Sequence, residues 1–83
     1  MKHAGSATLD SLEPLLSEIR SWPSLTERKR GVFYRKSSAF LHFHEDPAGI
    51  FADLREPSGW QRLPANTSVE RRELLRRIRV LAR

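Results

Sequence analysis

The densest pattern in the chain runs over residues 31–55, GVFYRKSSAFLHFHEDPAGIFADLR, where apolar and polar positions alternate between short polar breaks. Alternation with period two marks a half-buried strand, so this stretch predicts strand pairing as well as strands. Lys36-Ser37-Ser38-Ala39 separates two runs rich in Phe, Tyr and Val, which predicts a tight hairpin turn. Glu45-Asp46-Pro47-Ala48-Gly49 holds three turn formers: Asp bonds its own backbone, Pro fixes φ, and Gly accepts positive φ. A three-strand meander follows. With Lys36 facing Ala39 and Glu45 facing Ile50, Tyr34 lies opposite Leu41, Phe43 opposite Ala52, and Leu41 opposite Leu54. One sheet face is then apolar, carrying Val32, Tyr34, Leu41, Phe43, Ile50, Ala52 and Leu54. The reverse face holds Phe33, Arg35, Phe40, His42, His44, Phe51, Asp53 and Arg55.

Helical spacing appears on both sides of the meander. Leu12, Leu15, Leu16 and Ile19 form one stripe and predict a helix over residues 10–21, with Asp10 or Ser11 as cap and Asp10-x-x-Glu13 as a capping box. Pro14 falls in the first turn, where its missing N–H does least harm, and Trp22-Pro23 ends the helix. Residues 1–8 are expected to be a flexible lead-in, and residues 24–30 a connection. After the turn Glu56-Pro57-Ser58-Gly59, Trp60-Gln61-Arg62-Leu63 forms a fourth short strand stopped by Pro64. Thr67-x-x-Glu70 then opens a last helix, whose seam is Leu74, Ile78 and Leu81, widened by Leu75 and Ala82. Two helical seams and one apolar sheet face must bury each other. The expected fold is therefore α+β, a two-layer sandwich of order α-β-β-β-(β)-α with both helices on one face of an antiparallel sheet.

Length and composition narrow the picture. Eighty-three residues make one domain, here residues 9–83, with a thin core, since chains near this size bury about 60–65% of their extended surface. The absence of Cys removes disulfides, thiolate metal sites and thiol chemistry, and it fits a reducing compartment, the cytoplasm by default. No secretory apolar segment and no membrane-length apolar run is present, so a soluble protein is expected. The net charge of +5 is unevenly spread. Residues 67–83 hold six Arg against Glu70 and Glu73, while residues 31–66 balance four basic groups with four acidic ones. Basicity belongs mainly to the last helix, with a smaller cluster at Arg28-Lys29-Arg30. Such asymmetry favours encounter with anionic partners.

The uncovered sheet face supplies the candidate chemistry. Phe33, Phe40 and Phe51 among Arg35 and Arg55 have the composition of a single-strand nucleic-acid platform, on which rings stack against bases and guanidinium groups neutralise phosphates. The exposed Arg72, Arg76 and Arg79 of the last helix would extend that contact surface to nucleic acid or an acidic protein. The same Phe surface also fits a homodimer interface or extra core. His42-x-His44 places two imidazoles on one strand face with Asp53 opposite His42, which makes a two-His, one-carboxylate metal or small-ligand pocket the alternative. No G-x-S-x-G, H-E-x-x-H or Gly-rich phosphate loop occurs, and Ser37 and Ser38 lie at the far end of the strand from His44. A non-enzymatic module without cofactor is expected. The last helix has no aromatic anchors for a membrane surface, so no membrane contact is expected.

Arg35-Lys36 before the second strand of the meander, Ala39-Phe40-Leu41 within it, Trp60 after it and Leu74-Leu75 in the last helix follow a layout that resembles the small bacterial α+β domains of the MmcQ/YjbR type. That resemblance implies a leading helix, an antiparallel meander and a closing helix, and DNA binding as a candidate activity. It assigns no functional residue, and His42-Phe43-His44-Glu45-Asp46 is not part of the family pattern.

Overall fold

The computed structural model describes residues 2–82; Met1 of the expected lead-in and Arg83 of the basic run lie outside the described residues. The elements are β1 (Lys2–His3), α1 (Ser6–Ser11), α2 (Glu13–Arg20), β2 (Leu25–Lys29), β3 (Val32–Arg35), β4 (Ser38–Asp46), β5 (Gly49–Glu56), β6 (Gly59–Pro64) and α3 (Ser68–Leu81). Strands β2 to β6 pair in sequence order, each antiparallel to the next, and β1 adds to the end of β4 that β3 leaves free. The helices cover one face, as the two-layer α+β expectation requires. Leu12, Leu16, Ile19, Leu74 and Ile78 from the helices close on Phe33, Leu41, Phe43, Ala52 and Leu54 from the sheet. No helix among the described residues is long and apolar enough to cross a membrane.

The β4–β5 register matches the expectation pair for pair: Leu41 faces Leu54, His42 faces Asp53, Phe43 faces Ala52, and Glu45 faces Ile50. The β3–β4 register does not. Arg35 pairs with Ser38, leaving Lys36 and Ser37 as a two-residue turn with φ of 52° and 69°. Two consecutive positive φ values match the right-handed twist of a hairpin, and here non-glycine residues adopt them. Phe33 therefore lies opposite Leu41, and the register then shifts so that Tyr34 pairs with Ala39. Phe40 is the extra residue of a bulge. Phe33 and Phe40 are 1% and 3% exposed, so both belong to the core and not to the outer face expected for them. Val32 and Tyr34 take the outward places, and Arg35, two residues from Phe33, goes with it to the helix side and not to the outer face expected for it.

The N-terminal region is more ordered than a lead-in. Lys2 and His3 pair with Glu45 and His44, Ala4 N–H donates to the Phe43 carbonyl, and Gly5 N–H donates to Glu45. The helix starts at Ser6, so Asp10 and Ser11 lie inside α1 and the Asp10 capping box does not form. Asp10 pairs instead with Arg30, while Glu13 joins Arg20 and Arg30. Arg20 also bonds Glu27, which fastens α2 to β2. Strand β2 occupies the stretch expected to be a connection, and its Arg and Lys residues suit an edge strand that must not pair further. Gly31 closes the β2–β3 hairpin at φ 79°, where a Cβ would come within 2.6 Å of Leu9 Cδ2. The Thr67 capping box does form: the Thr67 hydroxyl accepts from Glu70 N–H and Glu70 accepts from Thr67 N–H.

Replacing Phe33 or Phe40 by Ala is expected to cost about 3–5 kcal/mol, against about 1 kcal/mol for Phe51→Ala on the outer face. Ser37→Gly, which relieves a left-handed side-chain residue, is expected to stabilise by up to about 1 kcal/mol. Urea unfolding measures all four. A destabilising Ser37→Gly, or a Phe51→Ala as costly as Phe33→Ala, would contradict the register described.

Candidate functional site

Two groups of the expected site residues come together, in different places. The first is on the outward sheet face. His42 and His44 lie two residues apart on β4, and both rings project from the face opposite the helices. His42 Nδ1 and His44 Nε2 approach to 2.8 Å, and the same His44 nitrogen lies 3.0 Å from Asp53 Oδ2. Both Asp53 oxygens accept from Arg62, its cross-strand partner on β6, Oδ1 from Nε at 2.8 Å and Oδ2 from Nη2 at 3.0 Å. The Arg62 guanidinium beside it keeps the Asp53 carboxyl below its ordinary value. Burial, and then the neighbouring His44, push the His42 imidazole down, which leaves that ring neutral near pH 7.

His3 completes this group. The pairing of β1 puts it directly across from His44, with ring centroids 4.9 Å apart, and 6.0 Å from the His42 ring. One ring nitrogen from each of the three histidines lies within 4.8 Å of the others. Nothing in the sequence around His3 announces this, because a two-residue strand has no periodicity to read.

Around the histidines the face is aromatic and basic, with a different set of rings from that expected. Phe33 and Phe40 are inside, so the three-Phe surface that suited base stacking or a homodimer is reduced to Phe51. Tyr34 and Trp60 join it. The Arg28 guanidinium lies 4.4 Å from the Tyr34 ring, and Arg55 lies 5.6 Å from that of Trp60. Trp60 also stands 5.0 Å from the His42 ring and is 42% exposed. Its position was legible: a tight turn over residues 57–58 pairs Glu56 with Gly59 and so sets Trp60 opposite Arg55.

The second group lies at the end of the sheet, where the β3–β4 and β5–β6 turns meet the last turn of α3. Arg35, Lys36 and Arg55 line a cleft of about 400 Å³ with Ser38, Phe40 and Leu81. The Arg35 Nε is buried there with no hydrogen-bond partner. On α3 the expected basic face divides. Arg76 is tied to Glu73, and Arg77 bridges Glu73 and Glu56. Arg76 and then Arg77 hold the Glu73 carboxyl at about 2. Arg72 and Arg79 are exposed and make no ion pair among the described residues.

Comparison of the chain with known protein families, curated proteins and solved structures gives no match.

Because the folded-state pKa of Asp53 is depressed, its contribution to stability is present above the ordinary carboxyl range and is lost as pH falls through the lower folded value. Carbon-detected NMR titration should place the Asp53 midpoint below the usual value of about 3.9 and move it upward in Arg62→Gln. An unmoved midpoint would show that Arg62 is not the cause.

Proposed function

We propose that this chain is a small, non-catalytic binding module that docks an anionic partner, single-stranded nucleic acid being the specific class, on its aromatic and basic outward sheet face. The observation that carries the proposal is how the charge is distributed. Asp10, Glu13, Glu27, Asp53, Glu56 and Glu73 are each already engaged by an Arg of the same chain. Arg28, Arg35, Arg55, Arg72 and Arg79 make no ion pair among the described residues. The surplus positive charge is thus free for an external anion, and part of it sits against exposed rings.

Arg28 beside Tyr34 and Arg55 beside Trp60 offer what a single strand needs, a π face for a base and a cation for the neighbouring phosphate. Arg35, on the helix side of β3, and Lys36 meet Arg55 only in the cleft at the end of the sheet, where they add positive charge at the rim of the outward face. The MmcQ/YjbR-like layout adds no residue to this proposal. A Cys-free chain suits a reducing setting, and the cytoplasm is where we propose that the module works.

The test is fluorescence anisotropy with a labelled oligothymidine at several salt concentrations. The affinity should fall with salt at a log–log slope of about −2 to −3, as expected for a few phosphates neutralised on a single strand. Trp60→Ala should weaken binding roughly tenfold, and Arg55→Ala should also reduce the slope by about one phosphate's share. Salt-independent binding, or wild-type affinity in both variants, would overturn the proposal.

A further inference from the structure

We propose that His3, His42 and His44 form a binding site for a single divalent transition-metal ion of the zinc type. Three imidazoles on two paired strands present ring nitrogens within 4.8 Å of one another. Nitrogens bound to one zinc ion at about 2.0–2.1 Å in a tetrahedral arrangement lie roughly 3.3–3.4 Å apart. Reaching that spacing closes the widest gap by about 1.5 Å and opens the 2.8 Å His42–His44 contact by about half an ångström, movements that side-chain rotation supplies with the strand register untouched.

The sheet supplies the preorganisation. His3 and His44 are a cross-strand pair, and His42 follows on the same face two residues away, so the three Cβ positions are set by backbone pairing. His42 Nδ1 and His44 Nε2 are already in contact at 2.8 Å, where one ring must donate a proton to the other. An ion between them takes the place of that shared proton, which moves to the other nitrogen of the donating ring, so that both facing nitrogens offer lone pairs to the ion. Asp53 Oδ2, 3.0 Å from the same His44 nitrogen, stands at the edge of the site and puts negative charge beside the ion. Arg62 occupies both carboxylate oxygens and fixes Asp53 in place. The sequence pattern alone pointed to His42, His44 and Asp53; the structure assigns His3 as the third nitrogen.

The donor set selects the ion. Imidazoles without thiolates suit zinc and its neighbours in the first transition row, whereas magnesium and calcium require oxygen-rich shells. The half-buried His42 and His44 meet the exposed His3 at the surface, so an ion has direct access. Binding would also join the N-terminal strand to β4 across some forty intervening residues, because His3 belongs to β1 and the other two ligands to β4. Stability should then rise with metal concentration. None of this depends on the anionic-partner proposal: metal uptake is measured without nucleic acid, so either can fail alone.

The experiment uses the chain without an affinity tag, titrated with zinc chloride by calorimetry and with cobalt(II) chloride by visible absorption. A saturable uptake of one ion per chain is expected, with the intense visible bands of low-coordinate cobalt and a rise in Tm. His3→Ala and His42→Ala should each weaken uptake by about tenfold or more and abolish the Tm rise. His3→Ala alters only a two-residue strand outside the core, and circular dichroism checks that both variants fold. Long-range ¹H–¹⁵N spectra of the wild-type chain give an independent readout, in which zinc should move the ring nitrogens of all three histidines. No uptake, equal uptake by wild type and His3→Ala, or shifts at His42 and His44 without His3 would overturn the site.

Discussion

The structure depends on a single steric demand: Phe40 and Leu41, adjacent on β4, must both be buried. A regular strand sends neighbouring side chains to opposite faces, so two consecutive core residues require an irregularity. The bulge at Phe40 provides it, and both side chains then reach the layer beneath the helices. The consequences spread from there. With Phe40 absorbed, the two-residue turn moves back by one position to Lys36 and Ser37, Phe33 slides opposite Leu41, and Tyr34 is turned outward. The large apolar rings go to the core, and the amphipathic Tyr34 and Trp60 are left on the open face.

Electrostatics follows a similar division between what the fold consumes and what it leaves. Arg20 and Arg30 hold Asp10, Glu13 and Glu27 together and so clamp α1 and α2 to β2. Exposed pairs of this kind contribute little individually, because water and salt screen them, but they use up acidic groups. Arg62 does the same for Asp53, and Arg77 for Glu56 and Glu73. Net positive charge is thereby concentrated on arginines that make no ion pair among the described residues, two of them set against the rings of Tyr34 and Trp60.

The N-terminal strand connects fold and site. It is held by its antiparallel pairing with β4, by the Ala4 N–H bond to the Phe43 carbonyl and by the Gly5 contact to Glu45, and those interactions carry His3 to the two histidines of β4. Residues that look like a polar preface in the sequence thus complete the only three-histidine grouping the chain's composition allows.

Local chemistry was sufficient for much of this. Asp46-Pro47-Ala48-Gly49 fixes its own hairpin, so the β4–β5 register and the facing of His42 and Asp53 could be read directly from the sequence. Thr67 and Glu70 likewise set the start of α3, and the leucine stripes set the buried helix faces. Lys36 and Ser37 carry no comparable turn preference, so the β3–β4 register was left to competition for the core, which Phe33 and Phe40 won over Val32 and Tyr34. Strand β2 was hidden because edge strands tolerate charge, and β1 because two residues have no pattern. Elements whose signals lie within a few residues could thus be read from the chain alone, since neighbouring residues suffice to form them. The face each aromatic took, and the arrival of His3 at the site, came from packing between distant segments, because a one-residue slip reverses every side chain while leaving the local pattern almost unchanged.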